Sequence, residues 1–356
     1  MESLGFADAL RQTQFQRRYL LLGNSFSIGA HPAFGYASLF AEAVARDPGL
    51  ATLFPDSDPN FEKALERWGE GAHADRIREA LIRAVAAVHP ERSLSVPEEQ
   101  CLSCRDFLEH FVGRKRVPLG GLFTTNYDML LHWVLSRQGK NSGTKQHSQL
   151  KCWDGFASNG EWNPIGAAQA HYLHGAVHIY ELPQPRLPHL NYTRMLRYEW
   201  GRPLLKQVDG QLRAGRLPVF VAEGNSQRKK ARQRQWEYLA GARARFRAVC
   251  IKEPEAALFA FGHSFGGSDD HIVEQIGAGV LRDVFIGVYS DEDRRRAAEL
   301  AERWTAERAE RGGKPVRVRI YDSADCRVWA VADRLISSSV ARCRFGGPVA
   351  RGADCK

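Results

Sequence analysis

What the chain lacks narrows the field first. No stretch of its 356 residues approaches the roughly 18 consecutive apolar residues that a membrane-crossing helix needs, so a helical membrane protein is excluded. The opening MESLGFADALRQTQFQRRYL has no basic segment running into an apolar one, so no secretory signal is expected and a cytoplasmic location is the default. The cysteines are odd in number and irregularly spaced: seven, at 101, 104, 152, 250, 326, 343 and 355. One close pair, Cys101 and Cys104, has no second pair or matched histidines at a zinc-binding spacing, so reduced thiols and no metal are expected. Internal repeats, low-complexity arrays and nucleic-acid fold signatures are also absent.

Positive charge is in excess. The formal net charge is +9, and part of it is local: Arg228 to Arg247 holds eight Lys or Arg against one acid, Glu237. Such a stretch meets nucleic acid, a polyanionic ligand or an acidic partner, or is a solvated basic helix face. Without a nucleic-acid motif the last reading is preferred, and nucleic acid is not the favoured partner.

The rest of the chain alternates short apolar runs with helical periodicity. Strands are expected at RYLLLGNS (18–25), GGLFTT, AHYLHG ending at His174 and Gly175, LPVFVAEGN (217–225), ALFAFGHSF (257–265), DVFIGVYSD and VRVRIYDS. Helices are expected at 35–47, from Asp58 as N-cap with Pro59 in the first turn, at 73–89, 97–113 and 129–137, after 225, near Asp269 and Asp270, at 292–311 and at 326–338. Residues 139–168 are polar and read as a long loop. This alternation predicts an α/β fold, a Rossmann-like parallel sheet with helices on both faces. Helices that succeed one another without strands predict a helical lobe inserted at about 50–115. One domain is expected over 1–345, with a flexible tail at 346–356.

In such sheets ligands gather at the carboxyl ends of the strands. Those ends carry Gly23-Asn24-Ser25, Thr125-Asn126-Tyr127-Asp128, His174-Gly175, Glu223-Gly224-Asn225 and Gly262-His263-Ser264. Each has a plain alternative. Gly23 either permits a tight turn or lets the backbone approach a diphosphate. Asn126 and Asp128 either form an Asx turn or face a ligand. His174 is either a satisfied core histidine or a base. One of Asp269 and Asp270 is expected to be an N-cap, and His263 and His271 lie near the ligand end without an assigned role.

The ordered set resembles the sirtuin-like (silent information regulator) superfamily of NAD-binding domains, with a look nearest to zinc-less bacterial branches associated with phage defence and to a related bacterial family of unknown function. Gly23-Asn24-Ser25-Phe26-Ser27 stands at the family's Gly-Ala-Gly-x-Ser turn, followed by Gly29, Pro32 and Phe34. Thr124 to Asp128 matches Thr-x-Asn-x-Asp, His174-Gly175 the His-Gly pair, and Gly262-His263-Ser264 the late Gly-x-Ser. PNFEKALERW and FVAEGNSQRKKA look like segments of the uncharacterised family. Two departures stand out. Asn24-Ser25 replaces Ala-Gly, and the four-cysteine zinc ribbon of the deacylases is missing after His174-Gly175, which argues against protein deacylation.

The resemblance implies NAD as substrate and an NAD glycohydrolase that releases nicotinamide and ADP-ribose, with a setting in anti-phage defence. Asn126 would place a water, Asp128 would accept from the nicotinamide amide, and His174, with an ordinary imidazole pKa near 6.5, would act as base. Gly23, Asn24, Ser25, Ser27, Thr125, Gly175, Gly262 and Ser264 would hold the rest of the nucleotide. A homo-oligomer or an activating partner chain would restrain such an activity. The alternatives are a non-catalytic NAD or ADP-ribose sensor, an ADP-ribosyl transferase and a deacylase.

Overall fold

Leu20 and Leu22 of the first long strand pack into one hydrophobic cluster, and Tyr19 and Leu21 into another. That alternation explains the architecture, because a parallel strand buried on both faces reads as an unbroken apolar run. In the computed structural model, which describes residues 1–55, 58–113, 118–137, 150, 152–183, 191–199 and 201–330, nine strands and twelve α-helices are seen among the described residues.

The strands are β1 (Ser3–Leu4), β2 (Arg18–Leu22), β3 (Gly121–Thr124), β4 (Ala170–Tyr172), β5 (Ile179–Pro183), β6 (Asn191–Met195), β7 (Ala257–Phe261), β8 (Asp283–Val288) and β9 (Arg317–Asp322). Seven of them make one sheet in the order β1-β9-β8-β7-β2-β3-β4, every pair parallel. β5 and β6 form a separate antiparallel pair. The expected α/β parallel sheet is therefore present.

The helices are α1 (Phe6–Gln12), α2 (Ser25–Ala30), α3 (Tyr36–Arg46), α4 (Phe61–Trp68), α5 (Ala72–Val88), α6 (Glu98–Val112), α7 (Leu130–Ser136), α8 (Leu204–Arg213), α9 (Ser226–Gln233), α10 (Glu237–Lys252), α11 (Asp270–Gly277) and α12 (Asp291–Glu310). Leu39 of α3, Ile77 of α5 and Phe107 of α6 join the cluster of Leu20 and Leu22. Phe246 of α10, Ile276 of α11 and Trp304 of α12 join that of Tyr19 and Leu21. The chain leaves β2 toward β3 on one side and later returns to β7 on the other. β2 and β7 therefore border the topological switch point, where a crevice opens at the strand ends.

Several expectations are corrected. Residues 217–225 form no strand of the sheet. The segment is extended and crosses the chain beyond β4, with Ala176 N donating to Val219 O (3.1 Å), Val221 N to His174 O (2.8 Å) and one bridge between Gly175 and Phe220. α4 starts at Phe61, not after Asp58: Asn60 is its N-cap and accepts from the Glu62 and Lys63 amides, whereas Asp58 accepts from Asn60 N. The basic stretch is two helices, α9 and α10, broken at 234–236. The expected helix at 326–338 begins instead as a 3₁₀ turn, Ala324–Cys326, followed by Arg327 in the left-handed region (φ 47°). The rest of that segment, the tail 346–356 and most of 139–151 lie outside the described residues. β1 and the β5–β6 pair were not anticipated.

Candidate functional site

Two turns meet at the switch point. Gly23 N donates to Phe261 O and Ser25 N to Gly262 O, at 3.0 and 3.1 Å. A Cβ on Gly23 would stand 2.5 Å from both Gly262 O and His263 Cα, and Gly262 itself has φ +65°. Gly23 is thus required by the packing of the β2 turn on the β7 turn. The same bonds occupy the Gly23 and Ser25 amides, so a cradle of successive free N–H groups is not what this turn offers. Among the described residues no acceptor meets the Asn24 N–H.

Beyond these turns lies a cavity of about 1580 Å³. Gly23, Asn24, Ser25, Thr125, Asn126, Asp128, His174, Gly262 and Ser264 all line it, so the structure brings together nine of the eleven expected residues. Ser27 and Gly175 do not line it. Ser27 is fully buried and braces its neighbours: its hydroxyl donates to Asp128 Oδ2 and accepts from Asn126 Nδ2 (2.9 Å). Gly175 (φ +75°) has no room for a Cβ, which would fall 1.9 Å from Val219 O, so its role is this close crossing.

Asn126 donates both amide hydrogens inward, to Ser27 Oγ and to Gly23 O (3.0 Å). What remains for a ligand is its carbonyl oxygen. Asp128 accepts from Leu130 N (2.7 Å) as well as from Ser27, so it closes an Asx-type turn into α7 while lining the cavity. Burial raises its carboxyl pKa, although the Ser27 and Leu130 bonds oppose the shift.

Behind His174 lies a cluster that the sequence did not assemble. His174 Nε2 stands 3.3 Å from His271 Nε2 and 3.6 Å from Asp269 Oδ1. His263 Nε2 is 3.5 Å from Asp269 Oδ2. Lys229 Nζ, fully buried, donates to Asp269 Oδ1 (2.8 Å) and Glu62 Oε1 (3.0 Å). Asp269 does occupy the N-cap position of α11, but its side chain makes no cap bond and goes to Lys229, while Asp270 pairs with Arg303 at 3.4 Å. Gly224 permits this convergence, because a Cβ there would meet Glu62 O at 2.2 Å and hold α9 away from α4.

The cluster corrects the expectation for His174. Burial, and next the Lys229 ammonium, hold its imidazole well below the ordinary value, so it is neutral near pH 7 and not a group titrating there. Burial also pushes His271 down to about 3. Burial alone would raise the Asp269 carboxyl, but the Lys229 ammonium outweighs it and holds it low. Burial alone would lower Lys229, but Asp269 and Glu62 raise it. Lys229 is the exception in the basic stretch, whose other seven Lys and Arg residues are exposed or half-buried as a solvated face requires. Its one local signal was Asn225, which caps α9 and so sets the helix's phase.

A family model described as "Domain of unknown function (DUF4917)" matches residues 60–329, more than half of the chain. The chain belongs to the DUF4917 family. The matched span includes Glu62, Asn126, Asp128, His174, Lys229 and Asp269 but not the Gly23 turn, so the cavity of this DUF4917 chain is completed by residues on the N-terminal side of the match. A comparison with curated proteins gives no match. Among solved structures the chain is similar to a mutant Sir2 homologue in complex with 2'-O-acetyl ADP ribose, with 12% identity and a TM-score of 0.31, covering 85% of this chain and 96% of that one. No helix among the described residues of the DUF4917 chain is long and apolar enough to cross a membrane.

Proposed function

We propose that the chain cleaves the bond between nicotinamide and ribose in NAD, most simply as an NAD hydrolase yielding nicotinamide and ADP-ribose. The observation that carries this reading is Asn126. Both of its amide hydrogens are committed to Gly23 O and Ser27 Oγ, so its carbonyl oxygen is the group left to hold a water at the cavity.

The cavity also has the right polarity for a dinucleotide. Its lining includes the hydroxyls of Ser25, Thr125 and Ser264. The lining also carries carboxylates, Glu62, Glu66 and Asp269 among them, with Asp269 beside His263 of the Gly262 turn and with Lys63 and Arg327 as lining cations. Hydroxyls suit ribose and diphosphate oxygens. Carboxylates suit the cationic nicotinamide ring and the oxocarbenium-like charge that develops as its bond breaks. The neutral imidazole of His174 accepts a hydrogen bond from a ribose hydroxyl or from the attacking water. Positioning and electrostatics supply most of the rate in this scheme. A role in anti-phage defence would follow if cleavage is switched on by infection.

The test is nicotinamide release from NAD by the purified chain, beside Asn126→Ala and His174→Ala. Cleavage lowered about 100-fold or more in both variants is expected. ADP-ribose binding retained without cleavage would favour a sensor, and neither binding nor cleavage would sink the reading.

A further inference from the structure

The charges behind the cavity do not balance. Two carboxylates, Glu62 and Asp269, converge on one ammonium, Lys229, and the imidazoles around Asp269 are buried. The side chain of His263 is nine-tenths buried and its Nε2 has no hydrogen-bond partner. We propose that His174 Nε2, His271 Nε2 and Asp269 Oδ1 form a binding site for a divalent transition metal, Zn(II) first.

Geometry supports this directly. Ligand atoms about 2.0–2.2 Å from a tetrahedral zinc stand roughly 3.3–3.5 Å apart. His174 and His271 present their nitrogens at 3.3 Å, His174 and Asp269 at 3.6 Å, and all three ligand atoms lie within 4.8 Å of one another. Two imidazoles with one carboxylate suit zinc and its transition-metal neighbours, whereas magnesium and calcium prefer all-oxygen sets. His174 and Asp269 line the cavity, so the fourth position opens toward it.

Two of the three ligands, His271 and Asp269, also have an outer partner, as metal-bound histidines and carboxylates usually do. His271 Nδ1 lies 3.5 Å from Ser226 Oγ, which itself accepts from His271 N at 2.8 Å. Asp269 Oδ1 accepts from Lys229 through one lone pair and keeps another. His263 Nδ1 accepts from Phe265 N (3.0 Å), so the proton of the neutral ring sits on Nε2, facing Asp269 Oδ2. His263 therefore backs the carboxylate from 3.5 Å, with no hydrogen bond formed between them in this structure, and is not a ligand. The expectation of no metal came from cysteine spacing; these ligands are histidines and an aspartate joined by the fold.

A metal on His174 Nε2 fixes the ring proton on Nδ1. The neutral ring then has no acceptor nitrogen left, and the proposed NAD chemistry needs one. Zinc is thus expected to suppress cleavage, a consequence that rests on the NAD reading, whereas metal binding itself does not.

The deciding experiment uses the metal alone. The full chain is stripped with EDTA, desalted, titrated with Zn(II) against a chromophoric chelator, and titrated with Co(II) by absorption. One equivalent per chain is expected, with Co(II) bands free of thiolate charge transfer. His271→Gln and Asp269→Asn should each weaken binding by about 100-fold or more, and His263→Gln by about tenfold with stoichiometry kept. Circular dichroism identifies the folded variants, and His263→Gln decides if the ligand variants unfold. A folded chain that takes up no stoichiometric metal, a folded His271→Gln that binds as wild type does, a folded His263→Gln with unchanged affinity, or a thiolate signature would each overturn the proposal.

Discussion

Lys229 and Asp269 form a buried ion pair at 2.8 Å, with the lysine side chain wholly shielded from solvent and the aspartate nearly so. The pair ties α9 to the start of α11, and the second bond of Lys229, to Glu62, adds α4. The wall of the cavity therefore depends on one ammonium held by two carboxylates.

Replacing Lys229 with Met would leave those two carboxylates facing each other without a cation. Breaking a buried pair from one side costs about 3–5 kcal/mol. Urea unfolding of Lys229→Met is expected to show a loss of that order, and adding Asp269→Asn should recover part of it. A single-variant loss under about 1 kcal/mol would contradict the buried-pair reading.

Gly23 and Gly262 make a second test, of packing. Gly23→Ala places a methyl 2.5 Å from backbone atoms that have no freedom to yield, so a loss of about 1–3 kcal/mol is expected. Gly267→Ala, at the same cavity, meets nothing within 4 Å and should be neutral or slightly stabilising. Thermal unfolding of the two variants side by side separates tight packing from a general intolerance of the cavity to change.

Asp283 links acid stability to β8. Burial would raise its carboxyl, but Arg317 (2.7 and 2.9 Å), Gln16 and Arg319 outweigh burial and lower it. A carboxyl lowered in the folded state stabilises fully above the unfolded pKa, about 3.9, and that contribution fades as pH falls from there through the folded value. Asp283→Asn should therefore be less stable than wild type by about 1–2 kcal/mol near neutrality. The gap should narrow only below about pH 4. A gap that stays constant to pH 2 would show that the charge is not its source.

Trp329 covers α2. Its Nε1 donates to Phe26 O at 2.6 Å, and its ring centroid lies 5.0 Å from that of Phe26. Trp329→Phe keeps a ring and loses the bond, for about 0.5–1.5 kcal/mol. Trp329→Ala also loses the packing, for about 3–5 kcal/mol. The same order in denaturant midpoints is expected, and equal losses in the two variants would mean that the ring packing contributes nothing.

The sequence by itself determined the central strands and their turns. β2, β3, β7 and β8 are legible because both faces of a parallel strand are buried, so the apolar run is unbroken. Gly23, Asn126, Asp128, His174 and Ser264 are legible as a set because each follows such a run directly, and the carboxyl ends of parallel strands open to one side. β1 is two residues long and exists through its pairing with β9, so no local pattern marks it. Residues 217–225 have a strand's composition, but the sheet ends at β4 and the segment crosses beyond it. Only the tertiary structure decided the chemistry behind His174. Lys229 sits in a run of bases that reads as a solvated face, and Glu62 and Asp269 each sit where helix starts attract acids. Their burial follows from how α4, α9 and α11 pack, and side-chain charge is a local property whereas burial is not.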